Sequence, residues 1–318
     1  MFCLISVPLF CGGDREKDSE IAVHVAGLKG PTSVGMLHMF ENNTPLKENA
    51  VLSFSVVDEP SIMSARILSG EADIAAVPIN LGAVLYNKGA GIKIAAVTGN
   101  GTLHVVTTDK DIKSVEDLAG RRVFCIGKGS TPEFVFRYVL DAQGIEKDVD
   151  IDFSFSHLEI GPQILAGKID TAVLPEPFIT IVAAKASAEG KKLYVPVNLQ
   201  TELSETSGFT QDYPTTVLIA SEKLCRDHPE ILNEFLEGYR ESLNWAVSHP
   251  GEAGDLAQKY LQMPSAVVSR AMPGLGLSFS YPDTRNDEVM RFFELLYSYA
   301  PGSIGGALPD EEIFFRKK

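Results

Sequence analysis

Apolar and polar positions along this chain repeat in a strand–helix–strand order. Residues 21–26 (IAVHVA) read as a buried strand running into a glycine-rich turn. A helix is predicted from near Pro31, with Val34, Leu37, His38 and Phe40 on one face. Proline suits a first helical turn because its missing N–H is one of the donors left unpaired there, and Thr32 can cap others. Residues 51–59 give a second strand, 60–70 a helix stopping at Gly70, and 72–78 a short apolar run typical of a buried parallel strand. Another helix follows Pro78-Ile79-Asn80, then the strand KIAAVTG. After Gly99-Asn100-Gly101 the scheme restarts. A strand at 102–109 leads to a short capped helix (SVEDLAG), strand RRVFCIG, helix 132–143, strand 150–155, helix 158–166 and the run IDTAVLPEPF. Residues 198–213 are polar and read as a loop. The strand at 213–221 mirrors 102–109, and from residue 222 the pattern is helical, a tail expected to pack on the first unit. Such alternation implies doubly wound parallel sheets, which bind ligands at the carboxyl ends of their strands.

One motif is written twice. LSGEADIAAVPIN (68–80) and LAGKIDTAVLPEP (165–177) align without gaps at a constant offset of 97 positions, sharing Leu68/Leu165, Gly70/Gly167, Asp73/Asp170, Ala75/Ala172 and Pro78/Pro175. Upstream, Gly30-Pro31-Thr32 and Gly129-Ser130-Thr131 each open a helical pattern, 99 positions apart. Two similar α/β units with loops of matching chemistry make a cleft where those loops meet. A glycine-rich strand-to-helix turn points free N–H groups and the positive dipole end at an anion, with Lys29 nearby to add charge. The two strands at 102–109 and 213–221 read as hinge strands between the units.

Composition narrows the partners. The 318 residues are 45% hydrophobic and 22% charged, ample for two domains, and the formal charge is −14. So negative a surface repels phosphate backbones, which excludes nucleic acid and leaves anion binding to local dipoles. No apolar run reaches the roughly 18 residues of a spanning helix. Cys3, Cys11, Cys125 and Cys225 form no metal-ligand spacing and no disulfide framework, and Cys125 reads as a buried thiol. Residues 1–10 are apolar and 11–20 polar, the pattern of a secretory leader in which Cys11 carries a lipid and the next residues form a tether. Against this, no Lys or Arg precedes Cys11 and Phe10 is bulky where a small residue is usual; an untargeted apolar arm is the alternative.

Other motifs fail. GKGST at 127–131 lacks the leading glycine of a phosphate loop, since Arg122 stands there. No G-x-G-x-x-G, G-x-S-x-G or H-E-x-x-H occurs, and no cofactor is expected. The six histidines are scattered; His157, at a strand end, reads either as structural or as lining the cleft. Glu176, between two prolines, either accepts a ligand amine or ring N–H or caps the following helix.

GLKGPT, LSGEADIAAVP, YNKG, DLAGRRV, GKGSTPE, LAGKIDTAVLPEPF and HPEILNEFLEGY, in this order from about residue 20 onward, with ALPDEEIF closing the chain, resemble the substrate-binding proteins of ABC importers of the nitrate/taurine/sulfonate type, including thiamin-pyrimidine binders. The resemblance implies a type II periplasmic-binding-protein fold: α/β, two lobes, two doubly wound sheets joined by two hinge strands, with ligand capture by hinge closure. The expected division is a leader, lipobox and tether at 1–19, lobe 1 at 20–107 and 216–318, and an inserted lobe 2 at 108–215. The family's site falls by position on Lys29, Gly30, Pro31, Thr32, Pro78, Asn80, Gly101, Thr102, Ser130, Thr131, Glu176, Phe178, Tyr213 and Thr215. A permease and an ATPase are implied as partners of a monomer that is extracytoplasmic, in the periplasm or at the cell surface, and anchored to the membrane by its lipid. No arginine falls on the site loops. An oxyanion (a sulfonate or a nitrate-like anion) would rest on N–H groups and the hydroxyls of Thr32, Ser130 and Thr131; a flat pyrimidine-like or flavin-like ring would sit between Phe178 and Tyr213. Enzymes of the same fold, making the thiamin pyrimidine or dehydrating chorismate derivatives, are the competing class, although the cysteine-rich cluster of the first type is missing here.

Overall fold

The computed structural model describes residues 20–43, 46, 50–207, 209 and 212–316; Cys11 and the leader and tether expected at 1–19 lie outside the described residues. Two sheets organise the chain. The first takes β1 (Ile21–Leu28), β2 (Ala50–Val57), β3 (Ile74–Pro78), β4 (Ile92–Asn100), β10 (Pro214–Ser221) and β11 (Leu277–Ser280), in the order β11-β4-β10-β3-β1-β2. The second takes β5 (Leu103–Thr107), β6 (Arg122–Cys125), β7 (Asp150–Asp152), β8 (Thr171–Pro175) and β9 (Tyr194–Asn198), in the order β7-β6-β8-β5-β9.

The sheets share one plan. In each, three parallel strands are followed by an antiparallel one: β10 beside β3, and β5 beside β8. That antiparallel strand is the one that has just crossed from the other half. The repeated motif accounts for the likeness, since α2 (Pro60–Leu68) feeds β3 as α5 (His157–Leu165) feeds β8. The sheets exchange at Gly101-Thr102, so Leu103–Thr107 belongs to the second sheet although it was expected in the first part of lobe 1.

Alternating side chains supply the layers. Ala75 and Val77 on β3, Val217 and Ile219 on β10 and Val173 on β8 enter one continuous core shared by both sheets, together with α3 (Ile79–Asn87), α4 (Thr131–Ala142) and α12 (Asn286–Tyr299). The opposite face of the first sheet is covered by α9 (Pro229–Ser248) through Ile231, Leu232, Phe235, Leu236 and Tyr239. The opposite face of the second is covered by α5 and α6 (Phe178–Ala188).

Three expectations change. Residues 198–213 are not simply a loop: α7 spans Leu199–Ser207, because Leu199 and Leu203, one helical turn apart, are both buried and Asn198 Oδ1 accepts from the Gln200 N–H at 3.0 Å. The tail is not wholly helical, since β11 extends the first sheet beside β4. Nor does it rest on one half alone: α12 lies in the shared core, with Tyr299 stacked near Phe134 of α4 at 6.3 Å between ring centroids. Among the described residues no helix is long and apolar enough to cross a membrane.

Candidate functional site

The carboxyl end of the first sheet meets the crossing between the sheets at a cavity of about 170 Å³. Pro31 and Thr32 enter it from the turn after β1, Thr98, Gly99 and Asn100 from the end of β4, and Thr215 and Thr216 from β10. Thr102 and Glu176 bring in the second half, and Leu275 and Leu277 close the apolar side. Five of the eleven lining residues are threonines. Thr98 is 1% exposed, and its buried hydroxyl lies beside the Tyr239 phenol.

Of the fourteen residues expected at the site, Pro31, Thr32, Thr102, Glu176 and Thr215 converge here. The turn at Pro31 is a 3₁₀ helix (Pro31–Met36) before α1 (Leu37–Glu41), with Gly30 at its N-cap and no acidic side chain in its first turn. Lys29 turns away, donating to Gln262 Oε1 at 3.0 Å and pairing with Asp58 at 3.7 Å. Pro78 pairs with Thr216 on β10, behind the cavity wall, and Asn80 lies in the first turn of α3; neither residue lines the cavity.

The second glycine turn meets two of its own donors. Ser130 Oγ donates to Gly127 O at 2.5 Å, and the Gly129 N–H donates to Glu133 Oε2 at 2.6 Å. Glu133 also accepts from Arg137 Nε at 2.8 Å. The position that a ligand anion would take at this turn is held by the helix's own carboxylate, and Ser130 and Thr131 are not in the cavity.

Neither aromatic candidate flanks a ligand in this conformation. Tyr213 is 0% exposed and stacks on Phe292 with centroids 5.2 Å apart; burial, then the Asp212 charge, pushes its phenol up. Its bulk sits against Gly101, where a Cβ would come within 2.0 Å of Tyr213 Cζ and 2.1 Å of Gln200 Oε1. The crossing therefore requires glycine. The Gly101 N–H donates to Tyr213 O at 3.0 Å, which ties the two crossings together. Phe178 lines a separate apolar cavity of about 240 Å³ with Gly161, Pro162, Leu165, Ile181, Val182 and Lys185.

Both readings of Glu176 have a structural basis. Its Oε2 accepts from the Thr180 N–H at 3.1 Å and its Oε1 from Thr180 Oγ1 at 3.0 Å, so it caps α6, and the residue also lines the cavity. Its peptide bond to Pro177 is cis. The His157 side chain lies outside what the structure describes. Cys125 is buried, and burial pushes its thiol up to about 12.

Thr98, Gly99, Asn100, Thr216, Leu275 and Leu277 were missed. The rule that selected Thr32, a polar residue at the carboxyl end of a strand, applies equally to Thr98 and Asn100 on β4, although both neighbours of β4 are antiparallel to it. Leu275 and Leu277 depend on β11, for which the sequence offered no signal.

The NMT1/THI5-like family profile matches residues 52–253, well over half of the chain. No curated protein matches. Among solved structures, an ABC transporter protein from Parabacteroides distasonis is similar at 27% identity and a TM-score of 0.80, over 93% of this chain and 99% of that one. The periplasmic aliphatic sulphonate binding protein SsuA of Escherichia coli aligns at 14% identity and a TM-score of 0.72, over 93% and 92% of the chains. The periplasmic nitrate-binding protein NrtA of Synechocystis PCC 6803 aligns at 12% identity and 0.54, over 83% and 74%. The fold is thus the two-lobed periplasmic-binding-protein fold of these structures.

Proposed function

The chain belongs to the NMT1/THI5-like family, and from that premise we propose that it is the extracytoplasmic solute-binding component of an ABC importer, capturing a small organic oxyanion between two lobes. The observation that carries this reading is the cavity at the crossing, where Thr32, Thr98 and Thr216 from one sheet face Thr102 and Glu176 from the other side. A ligand touching both sides stabilises the conformation in which they approach, which is the requirement for capture by closure. The lobes divide where the sheets do, at Gly101-Thr102 and ahead of Pro214. The cavity's hydroxyls suit an oxyanion, whereas a flat ring lacks the aromatic walls expected from Phe178 and Tyr213. Glu176 offers an acceptor to an amino group on the same ligand, so an aminoalkyl sulfonate satisfies both ends.

The proposal includes a permease and an ATPase as partners, a monomeric state, and anchorage through a lipid on Cys11. Fatty-acid labelling of cells tests the anchor: label that survives Cys11→Ala removes it from the proposal. The binding role is tested by a thermal-shift screen of the purified chain with ethanesulfonate, taurine, nitrate, a thiamin pyrimidine, riboflavin and a chorismate-like acid. A ligand at 100 times its Kd adds about 2.7 kcal/mol, a shift of about 4 °C for a chain of this size. The expected result is a shift with a sulfonate recovered unchanged, and a smaller radius of gyration in solution scattering. A compound returned chemically altered makes the protein an enzyme instead.

A further inference from the structure

One buried cation stands directly behind the cavity. Arg285, ahead of α12, has a side chain 1% exposed, paired with Glu288 (9% exposed) through Nε–Oε2 at 2.7 Å. Its Nη1 donates to Asn100 Oδ1 at 2.9 Å, and its Nη2 donates to the Asp212 carbonyl. The guanidinium thereby joins the last residue of β4, the segment entering β10 and α12, which are both crossings and the helix packed beneath them. A buried arginine is tolerated only with its donors met, and here each group it meets is an acceptor.

The consequence falls on Asn100. Arginine has donors and no acceptor, so the amide atom facing it must be the oxygen. The Asn100 backbone is fixed as well, its N–H donating to Gly276 O at 2.8 Å. What the side chain retains is its NH₂ group, which makes no hydrogen bond among the described residues, and Asn100 is half-buried and lines the cavity. Two residues earlier on the same strand, Thr98 lines the same cavity.

We infer that Arg285 is a positioning residue that locks Asn100 as a hydrogen-bond donor to the ligand, so that the site selects a molecule presenting an acceptor oxygen at the hinge. The positive charge acts through the amide instead of meeting the ligand, which is how a site with no cationic lining residue recognises an oxyanion. This rests on the solute-binding role proposed above and adds to it the residue that reads the ligand's oxygen.

The decisive variant is Asn100→Asp. It keeps the shape, keeps an oxygen for Arg285 and replaces the amide NH₂ donor by a second acceptor. The full chain should hold or raise its unfolding temperature, because the new carboxylate pairs with Arg285. Its affinity for ethanesulfonate, by titration calorimetry, should fall by about 30-fold or more. Affinity within about twofold of the wild type overturns the inference. Arg285→Met with Glu288→Gln removes the buried charges together; it should weaken ethanesulfonate binding by about tenfold, and Asn100→Ala in that background should cost little more. Full additivity of the two changes overturns the positioning role of Arg285. A wild-type chain that binds neither ethanesulfonate nor nitrate nor any other oxygen-bearing probe overturns the proposed function along with the inference. Binding by the wild type with an unaltered Asn100→Asp variant overturns the inference alone.

Discussion

The two halves of the chain follow the same strand order, β2-β1-β3-β10-β4 in one and β7-β6-β8-β5-β9 in the other, and each carries a glycine turn after its second strand in that order. The turns have nonetheless diverged in use. At Gly30-Pro31-Thr32 no acidic side chain occupies the first turn, and Pro31 and Thr32 line the cavity. At Gly129-Ser130-Thr131 the Glu133 carboxylate takes the Gly129 N–H and the Ser130 hydroxyl bonds back to Gly127. The second turn spends its Gly129 N–H and its Ser130 hydroxyl on its own segment, and neither is left for a ligand. The motif is shared by both turns; the acidic residue in the first helical turn is where they differ.

The largest effect is expected at the junction of the halves. Gly101→Val drives a side chain into Tyr213 and Gln200, and should destabilise the chain by about 3 kcal/mol or more, read from the denaturant midpoint. A midpoint near that of the wild type would mean that the crossing is not the tight contact described. Next, Glu133→Ala should cost about 2 kcal/mol through loss of a charge-assisted cap and an ion pair, with Arg137 keeping Glu146 at 2.8 Å. If the second turn is silent only because of Glu133, this variant should also gain weak sulfate affinity in calorimetry.

A gentler pair separates the turns directly. Thr32→Val should weaken ethanesulfonate binding by about fivefold, roughly 1 kcal/mol, whereas Thr131→Val should leave it unchanged. Equal losses would put both turns in the site. The smallest effect belongs to the first half alone, where the chain's one tryptophan, Trp245, stacks between His38 at 3.8 Å and His249 at 4.9 Å. Burial, then the neighbouring His249, holds the His38 imidazole below its ordinary range. The folded state therefore binds its proton less readily than the unfolded chain does. That contribution to stability is intact above about pH 6.5 and declines as the pH falls below it. Urea midpoints at pH 7.5 and 5.5, followed by Trp245 fluorescence, should show a decline that His38→Gln reduces.

Much of this was legible in advance, for reasons visible at particular residues. The doubled motif located β3 and β8 because a fully buried parallel strand needs an unbroken apolar run, and the alternation of elements gave the α/β class. Residues 199–207 were less legible, since a helix resting on Leu199 and Leu203 with the other positions polar looks like a loop when read locally. Tyr213 was misplaced because an aromatic beside a hinge strand serves a ligand or a core equally well, and only the neighbouring Gly101 and Phe292 decide between them.

The sequence by itself determined the class of fold, the doubling and the turn at Pro31-Thr32, since each depends on local periodicity and backbone preference. Tertiary structure alone decided which of the expected residues meet at the candidate cavity. It withdrew Lys29 to Asp58, filled the second turn with Glu133, buried Tyr213 and brought Arg285 across to Asn100. Each of these outcomes is a competition for a hydrogen-bonding or packing partner. Such a competition is settled by which groups the fold brings within about 3 Å of one another, a distance that spacing along the chain does not encode.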